Sequence, residues 1–203
     1  MADPVLSPRP ALLDIDRSQP GAGVTICELR GLGLATMQTR KGQHTLLRDR
    51  VRQHFLLELP NGPAIARAGE IAFVGIGPHY WLAMGDGAGP LFAMSLKQIV
   101  ASLASVSDQS GGYAIFRVGG PAIRDVLAKG FQVDLHPRTF EIGAAATTIV
   151  AHIGASIWRC EDKADGSACF EIALFRSLAK SFSGWFSSSA AEFGCEWQTR
   201  TVP

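Results

Sequence analysis

The sequence predicts an α+β protein: two small packed α/β subdomains of mixed or antiparallel sheets with helices. Three observations carry this. Short apolar runs with strand-like composition recur along the chain. They are interrupted by only four segments with a helical repeat of apolar residues, and the joints between them are glycine-proline or asparagine/aspartate-glycine pairs. A long βαβαβ series is absent, so a doubly wound parallel sheet is not expected. The division is an extended proline-rich arm over 1–20, an N-terminal α+β subdomain over 21–105 and a C-terminal α+β subdomain over 106–203.

The arm holds Pro4, Pro8, Pro10 and Pro20 and is expected to lack a core of its own and to lie across a neighbour. Residues 22–29 and 32–39 read as strands. Residues 45–57 read as a helix, with Leu47, Val51 and Phe55 four apart, ended by Pro60 and Asn61-Gly62. Strands at 70–77 and 80–85 flank Gly77-Pro78. Gly89-Pro90 then starts a second helix, with Phe92, Leu96, Ile99 and Leu103 on its apolar side. The polar run 105–112 is read as flexible. A strand at 113–118 and a short helix after Gly120-Pro121 follow, with Gly130 expected as the helix C-cap. Further strands are expected at 146–153, 155–160 and 168–175, the last two joined by a turn at Asp165-Gly166. A final helix runs from about 176 to 192, its buried side marked by Leu178, Phe182, Trp185 and Phe186, and Gly194 stops it.

Composition excludes several function classes. The net charge is +1, with 19 basic against 18 acidic residues, so the clustered basic face that nucleic acid demands is not expected. No basic amphipathic run points to a membrane surface, and the N-terminal MADPVLSPRP has neither the basic nor the apolar region of a signal peptide. A cytoplasmic location is expected. Charged residues are only 18% of the chain, below the usual quarter, which suggests that part of the surface is covered by another protein.

Candidate chemistry is sparse. The run from Gly85 to Pro90 breaks the dinucleotide-binding glycine pattern at Pro90 and is read as a hairpin-to-helix loop. Gly154-Ala155-Ser156-Ile157-Trp158 lacks the last glycine of a nucleophile elbow, so Ser156 is read as a turn residue. His44, His54, His79, His136 and His152 form no metal-binding pair by spacing, and His152 is read as a hydrogen-bonded core residue in an apolar strand. Cys27, Cys160, Cys169 and Cys195 lack zinc-knuckle spacing; Cys160 and Cys169 flank the predicted hairpin turn and are read as a pair of buried free thiols. Glu161, Asp162, Lys163 and Asp165 are expected at a solvated hairpin tip. Arg117, Arg124 and Arg176 beside apolar segments are candidates to hold carboxylates of a partner chain. Catalytic, cofactor-binding and metal-ligating residues are each expected to be none.

A longer pattern is more specific. It comprises Asp108-Gln109-Ser110-Gly111-Gly112, Val118-Gly119-Gly120-Pro121-Ala122, Arg124 to Gly130, and Val133-Asp134-Leu135-His136-Pro137-Arg138. It continues with Ala151-His152-Ile153, Arg176-Ser177-Leu178-Ala179 and Ala191-Glu192-Phe193-Gly194, and earlier has Gly77-Pro78 and Trp81-Leu82. Over roughly 25–197 this resembles the gamma subunit of heterotetrameric sarcosine oxidase. The resemblance implies the folate-binding fold of the aminomethyltransferases. It also implies a flavin-dependent complex that demethylates sarcosine to glycine, giving H2O2 and methylenetetrahydrofolate or formaldehyde. The partners implied are the alpha, beta and delta subunits, which would carry FAD, FMN, NAD, tetrahydrofolate and zinc, with no cofactor on this chain. The aminomethyltransferases have paired aspartates after a glycine-rich hairpin; the corresponding stretch here, His152 to Trp158, has no carboxylate. A non-catalytic structural subunit is therefore expected, the alternative being a stand-alone folate-binding or aminomethyltransferase-like protein.

Overall fold

The computed structural model describes residues 9–12, 21–87 and 89–201. The helix and strand periods of the sequence generate four layers. The inner two are sheets packed face to face, and each sheet carries helices on its outer face. The six-stranded sheet has β1 (Val24–Arg30), β7 (Tyr113–Gly119), β8 (Ala145–Val150), β9 (Ile153–Arg159), β10 (Cys169–Phe175) and β11 (Cys195–Thr201), in the order β11-β1-β7-β10-β9-β8. It is mixed: β1 and β11 are parallel, and its other pairs are antiparallel. The five-stranded sheet is antiparallel. It contains β2 (Gly33–Thr39), β3 (Ile65–Ala68), β4 (Ile71–Gly77), β5 (Tyr80–Gly85) and β6 (Ala104–Asp108), in the order β3-β4-β5-β2-β6. β1 and β2 are consecutive in the chain yet lie in different sheets.

Strand alternation fixes which layer each side chain enters. In the six-stranded sheet, Ile26, Phe116, Val118, Phe170 and Ile172 face outward. They meet Ile123, Val126 and Leu127 of α3 (Ile123–Ala128) and Phe182 and Phe186 of α4 (Ala179–Ala190). In the five-stranded sheet, Ala35, Met37, Phe73, Trp81 and Ala83 meet Leu47 and Val51 of α1 (His44–Phe55) and Phe92, Leu96 and Val100 of α2 (Phe92–Val100). Between the sheets, Leu34, Val74, Leu82 and Met84 pack on Leu29, Ile115, Trp158 and Ala173. Each sheet thus owns one helical layer, and the third core joins the two halves.

Several local expectations are corrected. The run 105–112 begins as edge strand β6, paired to β2 from Thr39↔Ala104 to Ala35↔Asp108. Gly130 is not a left-handed cap: the Trp185 indole lies where its Cβ would stand, 2.5 Å away. The β8–β9 turn falls at Ala151 and His152, whose φ values are 45° and 71°, the positive angles that two-residue hairpin turns use. His152 is therefore an exposed turn residue and not a core one. Ser156 lies within β9, buried, 2.9 Å from the Thr147 hydroxyl. Within the arm, 9–12 dock on this chain. Leu12 joins the outer core, and the Glu28 carboxylate accepts the Ala11 N–H at 2.6 Å. Residues 1–8 and 13–20 lie outside the described residues.

Candidate functional site

The register of the six-stranded sheet lines up one residue from each strand: Gln198 of β11, Cys27 of β1, Arg117 of β7, Glu171 of β10, Trp158 of β9 and Ala145 of β8. This row faces the other sheet, because its neighbours along each strand point to the helices. Its centre is Glu171, only 1% exposed. A carboxylate with no water must have its lone pairs occupied. The Arg117 Nε donates to Oε1 at 2.9 Å and its Nη2 donates to the same oxygen. The Trp158 Nε1 donates to Oε2 at 2.8 Å, and Arg67 Nη2, from β3 of the other sheet, reaches it at 3.4 Å. Burial works against the Arg117 charge, but Glu171 more than offsets it, and the Arg117 pKa is raised.

Two residues further along the strands runs a second row on the same face: Thr25, Gly119 and Cys169. Cys160 continues it, donating its backbone N–H to the Cys169 carbonyl at 2.9 Å. The bare Gly119 leaves a channel that the Lys163 side chain fills. A Cβ there would stand 2.6 Å from Lys163 Cε. Lys163 Nζ donates to the Thr25 hydroxyl at 2.6 Å. Arg159, 4% exposed, donates to the carbonyls of Cys160 and Cys169 and pairs with Asp162. Together these residues line a pocket of about 650 Å³ that opens between the sheets. A hydrogen bond from the Cys160 thiol, opposed by burial and aided by Arg117, brings the Cys169 thiol down to about 7. The same bond, with burial and the Glu171 charge, pushes Cys160 up.

The sequence-level candidates therefore redistribute. Of the hairpin-tip charges, Asp165 is exposed in its turn, while Glu161, Asp162 and Lys163 line the pocket, the first two still exposed. All three singled-out arginines are engaged within the chain. Arg117 holds Glu171, Arg124 donates to the Leu135 carbonyl at 3.1 Å, and Arg176 donates to the Arg9 carbonyl. Glu171 itself escaped notice inside the apolar run Phe170 to Phe175. The signal available was a lone charge within each of two apolar strands, Arg117 and Glu171. His44 and His79, distant in sequence, place their rings 4.4 Å apart. The His79 side wall belongs to a second pocket of about 520 Å³, lined also by Trp81, Thr147 and Gly75. Burial, His79 and Arg48 lower the His44 pKa. Among the described residues no group of three or more His, Cys, Asp or Glu is placed to hold a metal, and no helix is long and apolar enough to cross a membrane.

Two facing sheets with outer helices and a pocket between them define a layered α+β protein. The aminomethyltransferase T of the Bartonella henselae glycine cleavage system superposes with a TM-score of 0.60 at 15% identity, over 87% of this chain and 48% of that one. A chain of the heterotetrameric sarcosine oxidase from Corynebacterium sp. U-96, solved with pyrrole 2-carboxylate, superposes with a TM-score of 0.73 at 23% identity, over 88% of both chains. Residues 43–192 match the sarcosine oxidase, gamma subunit family, and the chain belongs to that family. Sarcosine oxidase subunit gamma from Corynebacterium sp. (strain P-1) is 29% identical over 125 residues, 62% of this chain and 59% of that relative. The subunit from Arthrobacter sp. is 30% identical over 98 residues, 48% of each. The aligned stretches thus span about half the length of these curated relatives.

Proposed function

We propose that this chain is the gamma subunit of a heterotetrameric sarcosine oxidase, and that it acts as a structural subunit. The assembly is a cytoplasmic flavin-dependent oxidoreductase converting sarcosine to glycine, with H2O2 and methylenetetrahydrofolate or formaldehyde as the other products. Its alpha, beta and delta subunits carry FAD, FMN, NAD, tetrahydrofolate and zinc; this chain supplies no catalytic, cofactor-binding or metal-ligating residue. Family membership across 43–192 supports the assignment. The observation that carries the non-catalytic role is the state of Glu171. A carboxylate that takes up a proton needs a free lone pair within reach of substrate, and both oxygens of this buried carboxylate accept hydrogen bonds from Arg117, Arg67 and Trp158.

The test is affinity purification of the tagged chain from its native source, with flavin spectrum and sarcosine turnover measured on what is retained. Flavoprotein subunits are expected to co-purify and to carry all the colour. A chain that elutes alone refutes the assembly. A flavin or stoichiometric zinc on this chain by itself refutes its lack of a cofactor. The stand-alone folate-binding reading is favoured by one observation, the pocket of about 650 Å³ between the sheets. Calorimetric titration of the isolated chain with tetrahydrofolate decides it: micromolar binding with one-carbon transfer establishes that reading in place of the structural one.

A further inference from the structure

We propose that Cys160 and Cys169 form an oxidisable dithiol in the wall of the inter-sheet pocket, closing to a disulfide on reaction with a hydroperoxide. Three geometric facts support it. Arg159 pairs with Phe170 in the β9–β10 register, so one step further Cys160 stands opposite Cys169, and the backbone N–H of Cys160 meets the Cys169 carbonyl at 2.9 Å. Opposed residues of antiparallel strands have Cα atoms about 4.5–5.5 Å apart, within the range of about 4.4–6.8 Å that disulfides span. The bond can therefore form while the strands keep their places. Both residues line a pocket that opens to solvent, which gives a small oxidant a route to sulfur.

The surroundings divide the labour between the two sulfurs. The Cys160 thiol donates a hydrogen bond to Cys169, which with Arg117 on the neighbouring strand and Lys163 across Gly119 lowers its pKa against burial and the Glu171 charge. The same hydrogen bond, burial and the Glu171 charge disfavour ionisation of Cys160. Lys163 lies over Gly119, the residue paired with Cys169, so Cys169 is the thiolate that attacks and Cys160 the thiol that resolves. The Cys169 sulfur attacks one peroxide oxygen, the O–O bond breaks, and hydroxide leaves and is protonated to water. The resulting Cys169 sulfenic acid is attacked by the Cys160 sulfur, which gives up its proton as the S–S bond forms and a second water departs. Two thiols and one hydrogen peroxide give one disulfide and two waters. The source of peroxide rests on the proposed oxidase assembly; the chemistry of the pair does not.

Closure would clip the loop between the two cysteines, which sends Asp162 to Arg159 and Lys163 to Thr25. The test uses the purified full-length chain and added hydrogen peroxide, so that it is independent of whether the assembly forms. The expected result is a fall of two titratable thiols per chain and a reducible link between the tryptic peptides carrying Cys160 and Cys169. The C160S variant, which keeps the shape of the site, should instead accumulate a dimedone-trappable sulfenic acid on Cys169. The proposal is overturned if both thiols survive peroxide sufficient to oxidise glutathione in the same tube. It is also overturned if the link joins either one to Cys27 or Cys195.

Discussion

Replacing Glu171 with glutamine isolates the role of the buried charge, because the side chains have nearly the same shape. Glutamate presents only acceptors to four N–H groups: two from Arg117, one from Arg67 and one from Trp158. Glutamine offers one acceptor oxygen and one NH2. If the oxygen faces Arg117, the NH2 meets the Trp158 N–H; if it faces Trp158, the NH2 meets the guanidinium fork. In either orientation a donor confronts a donor at a buried site. A hydrogen bond to a charged group contributes about 1.5–3 kcal/mol, and a stranded buried donor costs about 1–3 kcal/mol more. Arg117 and Arg67 are each about one-third exposed (34% and 37%) and can turn to solvent, which trims the sum. The expected loss is about 3 kcal/mol, read from the urea midpoint of the full chain at neutral pH. R67A should lose about 1 kcal/mol or less, since Arg117 and Trp158 still serve the carboxylate. If E171Q unfolds within about 0.5 kcal/mol of the wild type, the cluster is not a stabilising pairing, and Glu171 must be considered a group held ready for a ligand.

Other outcomes follow from particular contacts. Gly130→Val places a side chain into the Trp185 indole and should cost about 1–3 kcal/mol, with a red-shifted tryptophan emission reporting the displaced ring. His152→Gly relieves a positive φ at the β8–β9 turn and should raise stability by about 1 kcal/mol; a loss would show that the imidazole makes a contact worth more than the strain. Leu12→Ala should cost about 2 kcal/mol in thermal unfolding, because the arm's residues 9–12 seal the outer core of this chain; an unchanged Tm would mean that the arm is docked too loosely to matter. The His44 pKa is lowered from its usual 6.5 by burial, His79 and Arg48. Protons therefore prefer the unfolded chain, and this contribution to stability, present above 6.5, should fade as pH drops through the folded-state value. H79A should weaken that dependence when unfolding is followed against pH.

The sequence disclosed elements whose signal is local and concealed those that depend on distant partners. The apolar repeats at Leu47 and Val51 and at Phe92 and Leu96 placed two helices against one sheet, as found. β6 reads as a flexible polar run because an edge strand buries little; Ala104 is its one buried residue. β11 became a strand only through pairing with β1, about 170 residues earlier; nothing within Cys195–Thr201 reveals a partner so distant. The pocket was hidden for the same reason. Arg117 and Glu171 are single charges in two apolar runs, and only the register makes them and Trp158 one cluster. The cysteine pair was legible, because a hairpin turn is a local feature and brings its two flanks together.

The parallel pairing of β1 with β11 also bears on how the protein is made. β1 lies in the sheet between β7, some ninety positions later, and β11, about 170 positions later. During synthesis β1 is therefore without either neighbour until β7 arrives, and its other edge stays open until β11 follows. Such long-range closure slows folding, and an open apolar strand edge invites pairing with other nascent chains. The five-stranded sheet, built from consecutive residues 33–108, meets no such delay. Folding should thus start in the stretch 33–108, and β1 and β11 are fastened together last.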